Sequence, residues 1–151
     1  MRIVLVTQED PFYLPPALDA FCAARRGDVV AMIILPAFNE GLVDTARRLY
    51  AFYGPLDFVR LGAWYARAKL ADRLNGVRRV TRPYSARDVA GRHGVPIYMP
   101  PKINAPEFVE VLRGTIRPDL LVSIAASQIL RRRVLEVPRF GCINLHSAPL
   151  P

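Results

Sequence analysis

Short, almost continuously apolar runs recur along this chain, each separated from the next by residues with helical spacing. Five such runs are Arg2 to Thr7, Asp28 to Leu35, Val95 to Met99, Asp119 to Ala125 and Gly141 to His146. A strand with one wet face alternates apolar and polar residues; a strand covered on both faces does not. Parallel sheets bury both faces, because each crossover to the next strand lays a helix on one side or the other. The pattern therefore predicts an α/β fold built on a doubly wound parallel sheet of about five strands.

Helix signals fill the gaps. Pro15 and Pro16 open a helix to about Arg26, and Gly27 closes it. Ser85 is placed to cap a helix ending at Gly94, and Asn104 with Glu107 reads as a capping box above Phe108, Val111 and Leu112. A short helix is expected near Arg131 to Leu135. The region after strand two departs from this rhythm. Glu40 to Phe52 and Asp57 to Leu74 both read as helical, divided at Tyr53-Gly54-Pro55. They predict a helical hairpin inserted at about 40–74. In its second arm Phe58, Leu61, Trp64, Tyr65 and Ala68 form a stripe, read as packing, with a role in holding an acceptor left open. Asn75-Gly76 is read as the turn into a loop reaching Pro83.

At 151 residues the chain is one domain, and 52% hydrophobic residues suit a buried core. No apolar run reaches the roughly 18 residues of a membrane span. The first run is broken at once by Gln8, Glu9 and Asp10, unlike a secretory leader, so a cytoplasmic setting is expected. Cys22 and Cys142 have no CxxC or histidine spacing, and no metal is expected. The net charge of +8 comes mostly from arginine, in clusters such as Arg25-Arg26 and Arg131-Arg132-Arg133. No aromatic residues interleave them as on a single-strand platform. They read as solvated faces, or as attraction for a phosphorylated or polyanionic partner.

Strand one runs into Thr7-Gln8-Glu9-Asp10-Pro11 without a glycine, which excludes a close pyrophosphate cradle. GxxxxGK[ST] and G-x-S-x-G are absent as well. What the last run does carry is Asn144 and His146, two positions apart and so on one strand face, roughly 7 Å apart along the backbone. The prolines that follow cannot continue a ladder, so the pair stands at a carboxyl end, where open α/β sheets bind ligands. An amide can donate to a developing oxyanion while an imidazole moves a proton. The plainer reading is a polar pair bonded to neighbouring loops. His93, at a helix end, reads as a charge partner of that terminus and not as a ligand.

Pro118-Asp119-Leu-Leu-Val-Ser-Ile-Ala-Ala-Ser127-Gln128-Ile129-Leu130, followed by Gly141-Cys-Ile-Asn144-Leu-His146-Ser-Ala-Pro149-Leu-Pro151, resembles the formyltransferase family. The likeness is dense over 118–151 and weaker over strand one and Val95 to Gly114. It implies a Rossmann-like sheet, 10-formyltetrahydrofolate as co-substrate and an amine as acceptor. Asn144 and His146 fall on two of the family's three catalytic positions. Ala126, Ser127, Gln128, Ile129 and Leu130 fall where the family lines its pterin pocket. The third catalytic residue, an aspartate beyond the Pro-Leu-Pro turn, has no counterpart before Pro151. Residues 1–151 are thus expected to be the amino-terminal catalytic domain of a longer enzyme, inefficient alone. Members acting on methionyl-tRNA usually carry a Gly/Lys-rich loop after strand two; here 40–74 holds a single lysine, Lys69. That disfavours tRNA and points to a small-molecule amine such as an amino-sugar nucleotide. A formyltetrahydrofolate hydrolase and a non-catalytic polyanion-binding module are the rival readings. Homo-oligomerisation is left open.

Overall fold

The computed structural model describes residues 1–11, 13–36, 42–77 and 82–145. Five parallel strands form one sheet: β1 (Ile3–Gln8), β2 (Val29–Leu35), β3 (Ile97–Tyr98), β4 (Leu120–Ile124) and β5 (Cys142–Leu145). Their spatial order is β3-β2-β1-β4-β5. The chain builds outward from β1 in one direction, then returns to its other side to add β4 and β5. This is the doubly wound, Rossmann-like arrangement the apolar runs predict.

Alternation along β1 shows how both faces are buried. Ile3 and Leu5 point into a cluster with Leu18, Met32 and Val89, beneath α1 (Leu14–Ala24) and α3 (Ala86–His93). Val4 and Val6 point the other way, to Ile33, Ile103, Val109, Leu112 and Val134. That second layer comes from α4 (Pro106–Val111), a π-helical turn (Leu112–Ile116) and α5 (Arg132–Leu135). The π turn is closed by the Arg117 amide donating to the Leu112 carbonyl at 2.8 Å, and it ends with Arg117 at a left-handed φ of 50°. Arg2 straps this corner to the sheet. Its guanidinium donates to the carbonyls of Ile116 (2.7 Å) and Arg117 (3.0 Å), and its amide donates to the Asp119 carboxylate.

Caps predicted from the residues divide into one that forms and one that does not. The Ser85 hydroxyl accepts from the Asp88 amide at 3.0 Å, and Gly94 closes α3 at φ 65°. Asn104, by contrast, caps nothing. Ala105 takes the N-cap position of α4 without a side-chain bond, because the Asn104 amide is bound elsewhere.

The insertion after β2 is α2 (Leu42–Val77), broken at Gly54. With φ 74° and ψ 173°, Gly54 occupies a region open essentially to glycine alone, and Pro55 starts the second arm. Tyr50 and Phe58 meet edge-to-face across the break at 5.6 Å, so the helix bends sharply between its two arms. Asn75-Gly76 does not turn the chain. Asn75 is buried, its amide donating to the Arg82 carbonyl and the Asp88 carboxylate, both at 2.9 Å, and the helix runs on to Val77. A tertiary anchor overrides the local turn preference. The expected stripe is also only partly packed: Ala68 is buried and Phe58 and Leu61 half-buried, while Trp64 and Tyr65 stay exposed.

Candidate active site

In an open sheet of this order, loops diverge at the carboxyl ends of β1 and β4, leaving a crevice between them. The head of α1, where dinucleotide enzymes hold a pyrophosphate, is filled by the chain itself. Asp10 accepts from the Tyr13 amide at 2.8 Å, and the neighbouring Glu9 accepts from the Ala86 amide at 3.0 Å while its other oxygen lies 3.4 Å from Arg87. Carboxylates occupy both helix starts, so neither is open to a phosphate.

The loop after β4 opens at Ala125, whose φ of 51° is unusual for a residue with a side chain. Ser127 is buried and donates to the Pro36 carbonyl at 2.6 Å. Gln128 reaches toward the β3–α4 loop: its Oε1 accepts from the Ile103 amide and its Nε2 donates to the Pro101 carbonyl, both at 2.9 Å. Asn104 reaches back, donating to the Ile129 carbonyl and accepting from the Arg131 amide at 2.8 Å each. Four hydrogen bonds from two amide side chains thus clasp the loops together. Ala126 and Leu130 pack against the second core layer, whereas Ile129 is 85% exposed. Between the loops lies a cleft of about 770 Å³, bordered by Lys102, Asn104, Pro106, Gln128, Ile129 and Arg131.

Asn144 stands on β5 opposite Ser123 of β4, which in turn stands opposite Val6 of β1. In-register residues of parallel strands share a face, so Asn144 projects on the side of α4 and α5, the side that Cys142 packs against. Its amide is exposed. The structure therefore brings Asn144 and the residues 126–130 to one end and one face of the sheet. His146 lies outside the described residues. Sequence reasoning missed Lys102 and misread Asn104: a polar residue before a helix carries the cap signal whether or not the cap forms.

Other titratable groups are committed to packing. His93 Nε2 meets Asp19 at 2.8 Å, joining α3 to α1, and Arg92 holds Asp88 through two hydrogen bonds of 3.0 Å. Both line a cleft of about 450 Å³ at the opposite, amino edge of the sheet. Burial and the nearby Asp19 push the Cys22 thiol up to about 11, and burial raises Cys142 as well, so neither is a ready nucleophile. Among the described residues no three His, Cys, Asp or Glu side chains gather as metal ligands, and no helix is long and apolar enough to cross a membrane.

Comparison with known proteins finds formyltransferases that the chain is similar to. The chain is 42% identical over 80 residues to a protein of Trichlorobacter lovleyi named methionyl-tRNA formyltransferase. Proteins of the same name from Citrifermentans bemidjiense and Bacillus subtilis match at 44% and 39% over 80 residues. The chain is related to the formyltransferases. Each of these matches covers 53% of this chain and 25% of the relative, so the chain matches about a quarter of these formyltransferases' length. No protein-family model matches it.

These relatives overturn one expectation. A small-molecule acceptor was preferred, and tRNA set aside, because the region after β2 holds one lysine. Lysine content was the wrong measure. Helix α2 carries Arg47, Arg48, Arg60, Arg67, Lys69 and Arg73 against Asp44, Asp57 and Asp72, a net positive charge made of arginine, which binds phosphate at least as well.

Proposed function

We propose that this chain is the formyl-donor-binding, catalytic part of a formyltransferase that acts on an aminoacyl-tRNA. The reading rests on the likeness to methionyl-tRNA formyltransferases, and is supported by an exposed amide near the carboxyl end of β5 and by a clasped, partly apolar cleft between the loops that follow β3 and β4. In it, 10-formyltetrahydrofolate supplies the formyl carbon. The cleft is of a size to take a bicyclic ring against Ile129, with the amides of Asn104 and Gln128 held by backbone, and Lys102 and Arg131 at hand for carboxylates. Asn144 donates to the carbonyl oxygen as the acceptor amine attacks, and His146 handles the amine's proton. Removal of such an oxyanion donor costs about 3–4 kcal/mol of barrier.

The test is a turnover assay on the complete protein with 10-formyltetrahydrofolate and methionyl-tRNA. Asn144→Ala and His146→Ala should each lower turnover by about a hundredfold or more. Near wild-type turnover in both variants would remove the assignment. Formate release that is indifferent to any amine would identify a hydrolase instead.

A further inference from the structure

The cleft between the β3–α4 and β4–α5 loops does not end at its own rim. Pro106 borders it and also borders a smaller notch of about 140 Å³, lined further by Val109, Glu110, Arg113 and Arg133. Both walls of the cleft continue into this notch. One wall is α4 with the π turn after it, where Pro106, Val109, Glu110 and Arg113 recur at three- and four-residue spacing. The other is the start of α5, where Arg131 lines the cleft and Arg133 the notch. Pro106 to Arg113 is roughly 10 Å of helix.

Charge along this line is one-sided. Among the described residues no carboxylate pairs with Lys102, Arg131 or Arg133. Arg113 meets Glu110 at 3.3 Å through Nη1 alone, which leaves other donors of its fork for a ligand. No aromatic side chain lines the notch, so a nucleobase has nothing there to stack on. Its volume is well below the roughly 300 Å³ at which ligand pockets begin. It suits a slender arm that leads out of the cleft and bears carboxylates. The donor has such an arm: a folate carries a glutamyl tail, which γ-amide links can lengthen by one carboxylate per unit.

We propose that the donor is taken in its γ-oligoglutamyl form, with Lys102 and Arg131 meeting the first carboxylates and Arg133 and Arg113 those beyond. This rests on the reading of the larger cleft as the donor site. Arg113 and Arg133 set a preference for tail length and take no part in formyl transfer.

The test is calorimetric titration of the complete protein with 10-formyl-5,8-dideazafolate, a stable donor analogue, carrying either one or four glutamyl units. The longer form should bind about fivefold tighter, the effect of two exposed ion pairs, and the advantage should shrink as salt screens them. Arg113→Ser/Arg133→Ser should erase the difference and leave the one-unit form unchanged, whereas Arg113→Lys/Arg133→Lys should keep most of it. Arg132 is bonded to Glu136 at 2.6 Å and lines neither cavity, so Arg132→Ser should change nothing. All three arginines are exposed, and an unchanged circular dichroism spectrum verifies each fold. Equal binding of the two forms overturns the proposal and leaves the donor site standing; binding of neither removes both. A preference that survives Arg113→Ser/Arg133→Ser also overturns it, as does a double variant that raises KM for methionyl-tRNA with the tail preference intact.

Discussion

Asn104 and Gln128 send their amide side chains across the same gap in opposite directions, each bonding the other's loop at two points. Neither loop is held by a strand ladder at that place, so their separation depends on these two residues. Asn104→Ala should free the Arg131 amide and Gln128→Ala the Ile103 amide. Hydrogen exchange, read residue by residue, should accelerate at the freed amide by about fivefold, corresponding to the ~1 kcal/mol of one such bond. Unchanged exchange at both amides would mean that the backbone alone fixes the cleft.

Gly54 offers a prediction whose sign separates two shapes of α2. In a continuous helix, Gly→Ala stabilises by about 1 kcal/mol. At φ 74° and ψ 173° a methyl group is strained, so Gly54→Ala should destabilise by roughly 1–3 kcal/mol in chemical denaturation. A gain in stability would rule out the break between the two arms.

The Cys22 thiol sits on the buried face of α1 with its pKa raised to about 11 from an ordinary 9.0. The folded chain therefore keeps this proton at pH values where the unfolded chain loses it. That contribution to stability is complete below pH 9.0 and is lost as pH rises toward about 11. Stopped-flow alkylation should find Cys22 inert at neutral pH in the folded chain, reacting only as the pH approaches 11. Fast labelling of folded Cys22 near neutrality would refute its burial.

Two substitutions calibrate the fold. Ile33, fully buried in β2, should cost about 2–5 kcal/mol when cut to alanine. Ser85→Ala removes the α3 cap and should cost about 1 kcal/mol. Urea denaturation of the two variants measures both; equal losses would contradict the different roles assigned to them.

The strands were legible because both-face burial leaves a compositional trace that short local windows contain. The break at Tyr53-Gly54-Pro55 and the Ser85 cap were legible for the same reason: their causes are local. Asn75 and Asn104 were misread because asparagine's local preferences, turn and cap, yielded to distant partners at Asp88 and at residues 129–131. The π turn at Leu112–Ile116 left no signal, since it is enforced by Arg2 from the start of the chain. At the site, Asn144 and the residues 126–130 could be named from spacing and likeness. Their shared face required the β4–β5 register, and the clasp required the two loops to be seen together.

The position of β1 in the middle of the sheet has a consequence for how the molecule comes into being. Ile3 finds Val29 on one flank early, but its partner on the other flank is Leu120. On a translating ribosome the intervening segment takes roughly 5–20 s to emerge. For that interval the flank of β1 that β4 will cover is a bare ladder edge, open to any other strand until β4 arrives to close it.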